Sequence, residues 1–415
     1  MPTGSKAPRW KLESIYPGYD SDQYRKDRSA LTRTTRSLLK TLDDTGARKS
    51  SPEAWLEGVL KKMDTARALF ENLMSYVYCQ YATSTRDART LGELNALEAE
   101  ALPLKDAEAR FRVELKSLEK ALPRILKKSA TSEKYRYFLD EQLALGAHQM
   151  SLEEENLAAD LSRAGSDAWG RLQETISSNL SVPWEGDEKK TVVELRSMAT
   201  HKDRAVRAKA YEKELGAWKS MEIPLAAALN GVKGFSTTLD SRRHYSSSLE
   251  YAASLSRISM KTLDALIGVM EKNLPVFRRY LKAKAKLMGV DRCAFYDLYA
   301  PVGSTEKEWS FSEAKKFIVE QFGTFSEELS DFARQAFSKG WIDAEPREGK
   351  VGGAFCTFMP RARESRILAN FDGSFDSLAT LAHELGHGYH GSVIKNLPSL
   401  NQDYPMTLAE TASIF

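Results

Sequence analysis

Thr380–His390 reads TLAHELGHGYH, and within it His383, Glu384 and His387 stand in the order His-Glu-x-x-His. On an α-helix, side chains four apart lie on one face, one turn above each other, so two imidazoles can close on a single cation. That is half of a tetrahedral zinc site. Around the motif, Leu378, Leu381, Ala382, Leu385, Tyr389 and Val393 recur at steps of three and four. His383, His387 and His390 fall within roughly 60° of each other on the opposite side, at about 100° per residue. The pattern predicts a helix with its leucines packed inward and its histidines facing a cleft. Ser374 is its expected N-cap, and Gly386 and Gly388 are expected to make room beside the metal.

A catalytic zinc needs a third protein ligand and one open position for water. Downstream of His387 the candidates are His390, Asp403 and Glu410. His390 is on the right face but about 10 Å along the axis from His383, at 1.5 Å per residue, so sharing one ion with it is strained. A metzincin would place glycine at position 390 and histidine at 393, where this chain has His390 and Val393; that subclass is excluded. Asp403 lies in the loop NQDYP. Glu410 begins to look like a ligand if TLAETASIF is a second helix laid across the first, although Thr407 to Glu410 also matches a capping box. In such a site Glu384 is no ligand. Its expected role is to accept a proton from metal-activated water and deliver it to the leaving amine.

Upstream, helical patterns follow one another. Ser51 and Pro52 open a long apolar stripe through Leu56, Val59, Leu60, Met63, Ala66, Phe70, Leu73 and Val77. Pro103 marks a kink or break, Ser151 with Glu154 and Ser310 with Glu313 are capping boxes, and Gly165 reads as a helix stop. Residues 1–18 read as an irregular arm anchored by Trp10, Ile15, Tyr16 and Pro17, and basic clusters such as Lys282 to Lys286 as solvated helix faces. Pro183, Trp184 and Gly186 between short β-branched runs predict a hairpin, and the lobe boundary is placed there. Strand signals return at Gly349–Phe358 and Ser365–Phe371, just ahead of the motif helix. Gly352 and Gly353 would let another backbone come close, such as an extended peptide on a sheet edge, or simply form a bulge.

The fold class expected is therefore mainly α: a two-lobed, zincin-type helical peptidase with a small β-sheet beside the zinc helix. Residues 1–190 form a helical N-terminal lobe and residues 191–415 a catalytic domain. With 415 residues, two lobes suit the length. A formal charge of +3 provides no footprint for nucleic acid, and no apolar run is long enough to span a bilayer. The opening MPTGSKAPRWKLESIYPGYD lacks a signal-peptide core, so a cytoplasmic protein is expected. Cys79, Cys293 and Cys356 are far apart and odd in number, forming neither a disulfide framework nor a thiolate cluster.

HELGHGYH followed by PMTLAETASIF resembles the thimet-oligopeptidase-like zinc metallopeptidases, in particular their oligoendopeptidase F branch. The resemblance extends to WKLESIYPGYD, GSDAWGRLQ, RAKAYEKELGAWKSMEIPLAAALNGVKG, AFYDLYAPVG and EPREGKVGGAFC, and so covers essentially the whole chain. It implies one zinc ion held by His383, His387 and Glu410, with Glu384 as the base. It further implies internal cleavage of short peptides inside a channel, with Gly352, Gly353, Ala354 and Phe355 running beside the substrate. Members of that branch continue well beyond the third ligand, and that part supplies the tyrosine and histidine expected to support the transition state. The catalytic domain is accordingly expected to be incomplete at its C-terminus. A zinc- or peptide-binding fragment without turnover and a zinc carboxypeptidase stand as alternatives to the endopeptidase.

Overall fold

The computed structural model describes residues 7–303 and 307–415. Helices dominate, and among the described residues the strands number five: β1 (Ser181–Pro183), β2 (Lys189–Thr191), β3 (Ile342–Asp343), β4 (Phe355–Met359) and β5 (Glu364–Leu368). The mainly α architecture with a small sheet beside the motif helix is the one the patterning predicts.

The largest core is built around the helix Pro52–Thr83. Its predicted stripe is buried at Leu56, Val59, Leu60, Met63, Ala66, Leu73 and Val77, while Phe70 packs half-buried at the margin. Pro52 sits at its start as expected, but Ser51 makes no side-chain cap bond. The antiparallel neighbour Asp22–Leu42 adds Tyr24, Leu31 and Leu38. The N-terminal arm closes this core with Leu12, Ile15 and Tyr16; Pro17 is exposed. Met359 and Leu400, from far down the chain, pack into the same cluster.

Asn72 shows how the two ends of the chain are joined. Its Nδ2 donates to the Tyr16 hydroxyl (2.9 Å), which donates to Asp27 (2.8 Å). Its Oδ1 accepts from the backbone N–H groups of Arg361 and Ala362, in the turn between β4 and β5. A single buried amide on the long helix thus satisfies polar groups of the arm and of the turn between the strands.

In the C-terminal half, β5 lies between β3, parallel to it, and β4, antiparallel, with Ile342 opposite Ile367 and Cys356 opposite Ile367. The motif helix Phe375–Ile394 packs Leu378, Leu381 and Leu385 against this sheet and against Ala314, Ile318, Phe332 and Ala336 of the helices Phe311–Phe325 and Glu327–Ser338. Val393, read as part of its buried face, is 60% exposed.

Other local predictions resolve in detail. The chain breaks at Ala101 and restarts with Leu102–Leu118, placing Pro103 in the first turn, where its missing N–H costs no helical bond. Both capping boxes form, at Ser151 with Glu154 and at Ser310 with Glu313. Gly165 follows a helix ending at Ser162 and then starts the next, Ser166–Asn179. The hairpin pairs Ser181 with Thr191. Lys284 departs from the solvated reading: it is buried and donates to the Leu298 carbonyl at 2.7 Å, so its ammonium ties the helix Met260–Leu287 to the loop that follows. No helix is long and apolar enough to cross a membrane among the described residues.

Candidate active site

Ser374 caps the motif helix as predicted, accepting from the Ser377 N–H at 3.1 Å. Three turns on, the His383 and His387 rings face each other edge to face, with centroids 4.9 Å apart. The second wall of the site is a short helix, Met406–Ile414, which carries Glu410. Its Oε2 lies 3.1 Å from His383 Nε2 and 3.4 Å from His387 Nε2. Ser413, one turn further along, donates to the same oxygen at 2.7 Å.

Potential donor atoms of His383, His387 and Glu410 therefore lie within 4.8 Å of one another. Two imidazole nitrogens and one carboxylate oxygen, converging at a half-exposed surface, form the nitrogen and oxygen set that suits a catalytic zinc. Charge favours the same use. The Ser413 hydroxyl and the two histidines hold the Glu410 carboxyl below its ordinary range, and burial lowers the His387 pKa.

Glu384 lies beneath this surface, 5% exposed, with its Oε2 buried and unpartnered. Burial, with a smaller contribution from the negative charge of Glu410, raises its pKa to about 7. A buried carboxylate with spare acceptor capacity beside a cation site is fit to take a proton.

Of the other ligand candidates, neither joins the group. His390 stacks on Tyr404, with centroids 4.3 Å apart, and Asp403 binds Arg257 at 3.0 Å. The capping box at Thr407 does not form, since the Thr407 hydroxyl donates instead to the Ser256 carbonyl at 2.6 Å. Gly386 does not leave space beside a metal. A Cβ there would lie 2.6 Å from Ala412 O and from Ser413 Cα, so the absent side chain lets the Glu410 helix touch the motif helix. At Gly388 the neighbour is the Phe332 ring.

Residues 352–355 lead into β4. Gly352 is occupied by its own chain, because a Cβ would meet Val193 Cγ2 at 2.8 Å. Gly353 adopts φ +75° with open space around it, and its carbonyl accepts from Asn370 at 2.9 Å. Ala354 is half-buried, and Phe355 packs on Trp10 and Tyr78. The next residue, Cys356, reaches the motif helix, with Sγ 3.7 Å from the Cβ position of Gly388. Sequence reasoning did not identify Ser413 as the partner of Glu410; its spacing of three on a helix is the available signal.

Comparison with known proteins places these features in context. Residues 197–415 match the family described as "Peptidase family M3", and residues 114–181 match that described as "Oligopeptidase F". The chain is 30% identical over 289 residues to the group B oligopeptidase PepB of Streptococcus agalactiae serotype III (strain NEM316), covering 68% of this chain and 48% of that protein. It is 25% identical over 415 residues to an oligoendopeptidase F homolog of Lactococcus lactis subsp. lactis (strain IL1403), covering 97% of this chain and 67% of that one. The chain thus spans about half to two thirds of these relatives. Its fold resembles the crystal structure of oligoendopeptidase-F from Enterococcus faecium, with TM-score 0.63 and 20% identity over 95% of this chain and 65% of the other.

Proposed function

This chain belongs to peptidase family M3, and on that premise we propose that it is a zinc-dependent oligopeptidase cleaving internal bonds of short peptides. The observation that carries the reading is the convergence of His383, His387 and Glu410 above the buried carboxyl of Glu384. One zinc ion held by the three would polarise the scissile carbonyl and make water a competent nucleophile near neutral pH. Glu384 takes the proton of the attacking water and hands it to the departing amine. Its position on the helix, one residue past a ligand, keeps the carboxyl beside the reacting centre without coordinating. Gly353 and its neighbours through Phe355 border the substrate, with Gly353 offering exposed backbone.

Residues 191–415 carry the motif, the sheet and all three ligands, and we treat them as the catalytic part, with residues 1–190 as a helical lobe. A reducing compartment such as the cytoplasm suits the three unpaired thiols.

The test is hydrolysis of an internally quenched peptide by the zinc-loaded chain beside Glu384→Gln. We expect cleavage at an internal bond, lost on chelation and reduced by about 10²- to 10⁴-fold in the variant with zinc still bound. Stepwise shortening from the C-terminus would replace the reading by a carboxypeptidase. Stoichiometric zinc with no cleavage by the wild-type chain would leave a metal-binding fragment instead.

A further inference from the structure

The Glu410 helix is nine residues long and starts at Pro405 without a side-chain cap. A helix of this length has little stability of its own, so tertiary contacts set where Glu410 points. One set is the close contact of Ala412 and Ser413 with Gly386. The other is at the helix's beginning, in the loop of residues 395–405 that leads from the motif helix.

That loop is held in two ways. Asp64 of the long N-terminal helix accepts from the Leu400 N–H at 3.0 Å, and Asn401 donates to the Lys134 carbonyl at 2.7 Å. The second hold is Arg257, just past the helix Ser248–Leu255. Its guanidinium donates to both carboxylate oxygens of Glu141 (2.5 and 3.0 Å), to Asp403 Oδ2 (3.0 Å) and to the Asp403 carbonyl (3.2 Å). It also lies over the Tyr137 ring at 5.1 Å. One residue earlier, the Ser256 carbonyl accepts from Thr407 inside the first turn of the Glu410 helix.

Arg257 has φ +55°, a left-handed position at a helix end where glycine is the unstrained residue. A long cationic side chain kept at such a position points to work done by that side chain. Its side chain is only 19% exposed, and its planar fork holds several N–H donors in a fixed geometry that meets both oxygens of a carboxylate, which the single nitrogen of a lysine does not reproduce.

We infer that Arg257 is a positioning residue. It ties the start of the Glu410 helix to Glu141 of the N-terminal lobe, and so sets zinc affinity without touching a metal ligand. The inference rests on the proposed ligand set, and the experiment separates the two. Zinc dissociation constants would be measured by competition with a chelating fluorophore for wild type, Glu410→Gln, Arg257→Ala, Arg257→Lys and the double variant Arg257→Ala/Glu410→Gln, each checked for folding by a zinc-free thermal melt.

Glu410→Gln should weaken zinc on the order of 100-fold and Arg257→Ala about tenfold, with Arg257→Lys between Arg257→Ala and wild type. The double variant should bind no more weakly than Glu410→Gln alone, because Arg257 acts through Glu410. Wild-type affinity in Arg257→Ala, with Glu410→Gln impaired, would overturn the inference and leave the ligand set standing. A further tenfold loss in the double variant would also overturn it, showing a general effect on the fold. Unchanged affinity in Glu410→Gln would remove the ligand set and the inference together. If Arg257→Ala does not fold, Asp403→Asn and Thr407→Val, both at exposed positions, attack the same link from the loop, and undiminished zinc binding in both would overturn it.

Discussion

Glu384 is turned about 100° around the helix from His383, which is enough to take its carboxyl off the ligand face and into the protein. There, burial and the Glu410 charge hold its pKa at about 7. A divalent cation on the neighbouring ligands would pull that value down and favour the carboxylate needed to accept a proton. His390 occupies the same helical face as the two ligand histidines but is engaged with Tyr404. Changing His390 to Ala should therefore leave one zinc per chain with an affinity within a few-fold of wild type, whereas His383→Ala should lose stoichiometric zinc. Metal analysis after gel filtration distinguishes them; equal loss in both variants would place His390 in the coordination set.

The motif helix carries glycines at 386, 388 and 391, each worth about 1 kcal/mol less helix propensity than alanine. Each is a point of close approach: 386 to the Glu410 helix, 388 to Phe332, and 391 to Phe358. At Gly386 the obstructing atoms are backbone, which cannot rotate aside. Gly386→Ala should push the Glu410 helix outward, costing about 1–3 kcal/mol in stability and at least several-fold in zinc affinity. At Gly388 the obstruction is the edge of an aromatic side chain, so the corresponding alanine should spare zinc more than stability. Paired melting and zinc titrations test this, and a Gly386→Ala chain with wild-type zinc affinity would show that the contact does not set the Glu410 position.

Across the whole molecule, stability also depends on buried polar groups outside the ligand set. Lys350 is fully buried, with Nζ bonded to Asp343 (2.8 Å) and to the carbonyls of Asp343, Glu345 and Ala369. Burial lowers its pKa from 10.5 to about 8 despite the neighbouring Asp343. Between those values the folded chain has released a proton that the unfolded chain still holds, so this group makes stability rise with pH. At ~1.4 kcal/mol per pH unit its contribution amounts to about 3 kcal/mol. Tyr19 and Tyr135, raised to about 12 mainly by burial, act the other way above pH 10, where the unfolded chain ionises first. Urea unfolding from about pH 7 to pH 10 should show wild type gaining on Lys350→Met as pH rises. Parallel curves for the two proteins would contradict the buried-ammonium account.

The covalent order of residues was enough for much of this protein. Helical spacing alone brought His383 and His387 to one face, apolar periodicity marked the long core helix, and Ser-x-x-Glu patterns located helix starts, because these features depend on neighbours within a turn or two. The choice among His390, Asp403 and Glu410 was of another kind. Asp403 is drawn to Arg257, His390 to Tyr404, and Glu410 to the two histidines by contacts between segments distant in sequence. The same holds for β3, too short to carry a pattern, and for Gly352 and Gly386, whose openness to a visitor was filled by Val193 and by Ala412 and Ser413. Local rules set each helix's faces. Which face meets which is decided when the chain closes on itself, since only packing can satisfy a buried charge or fill the space a glycine leaves.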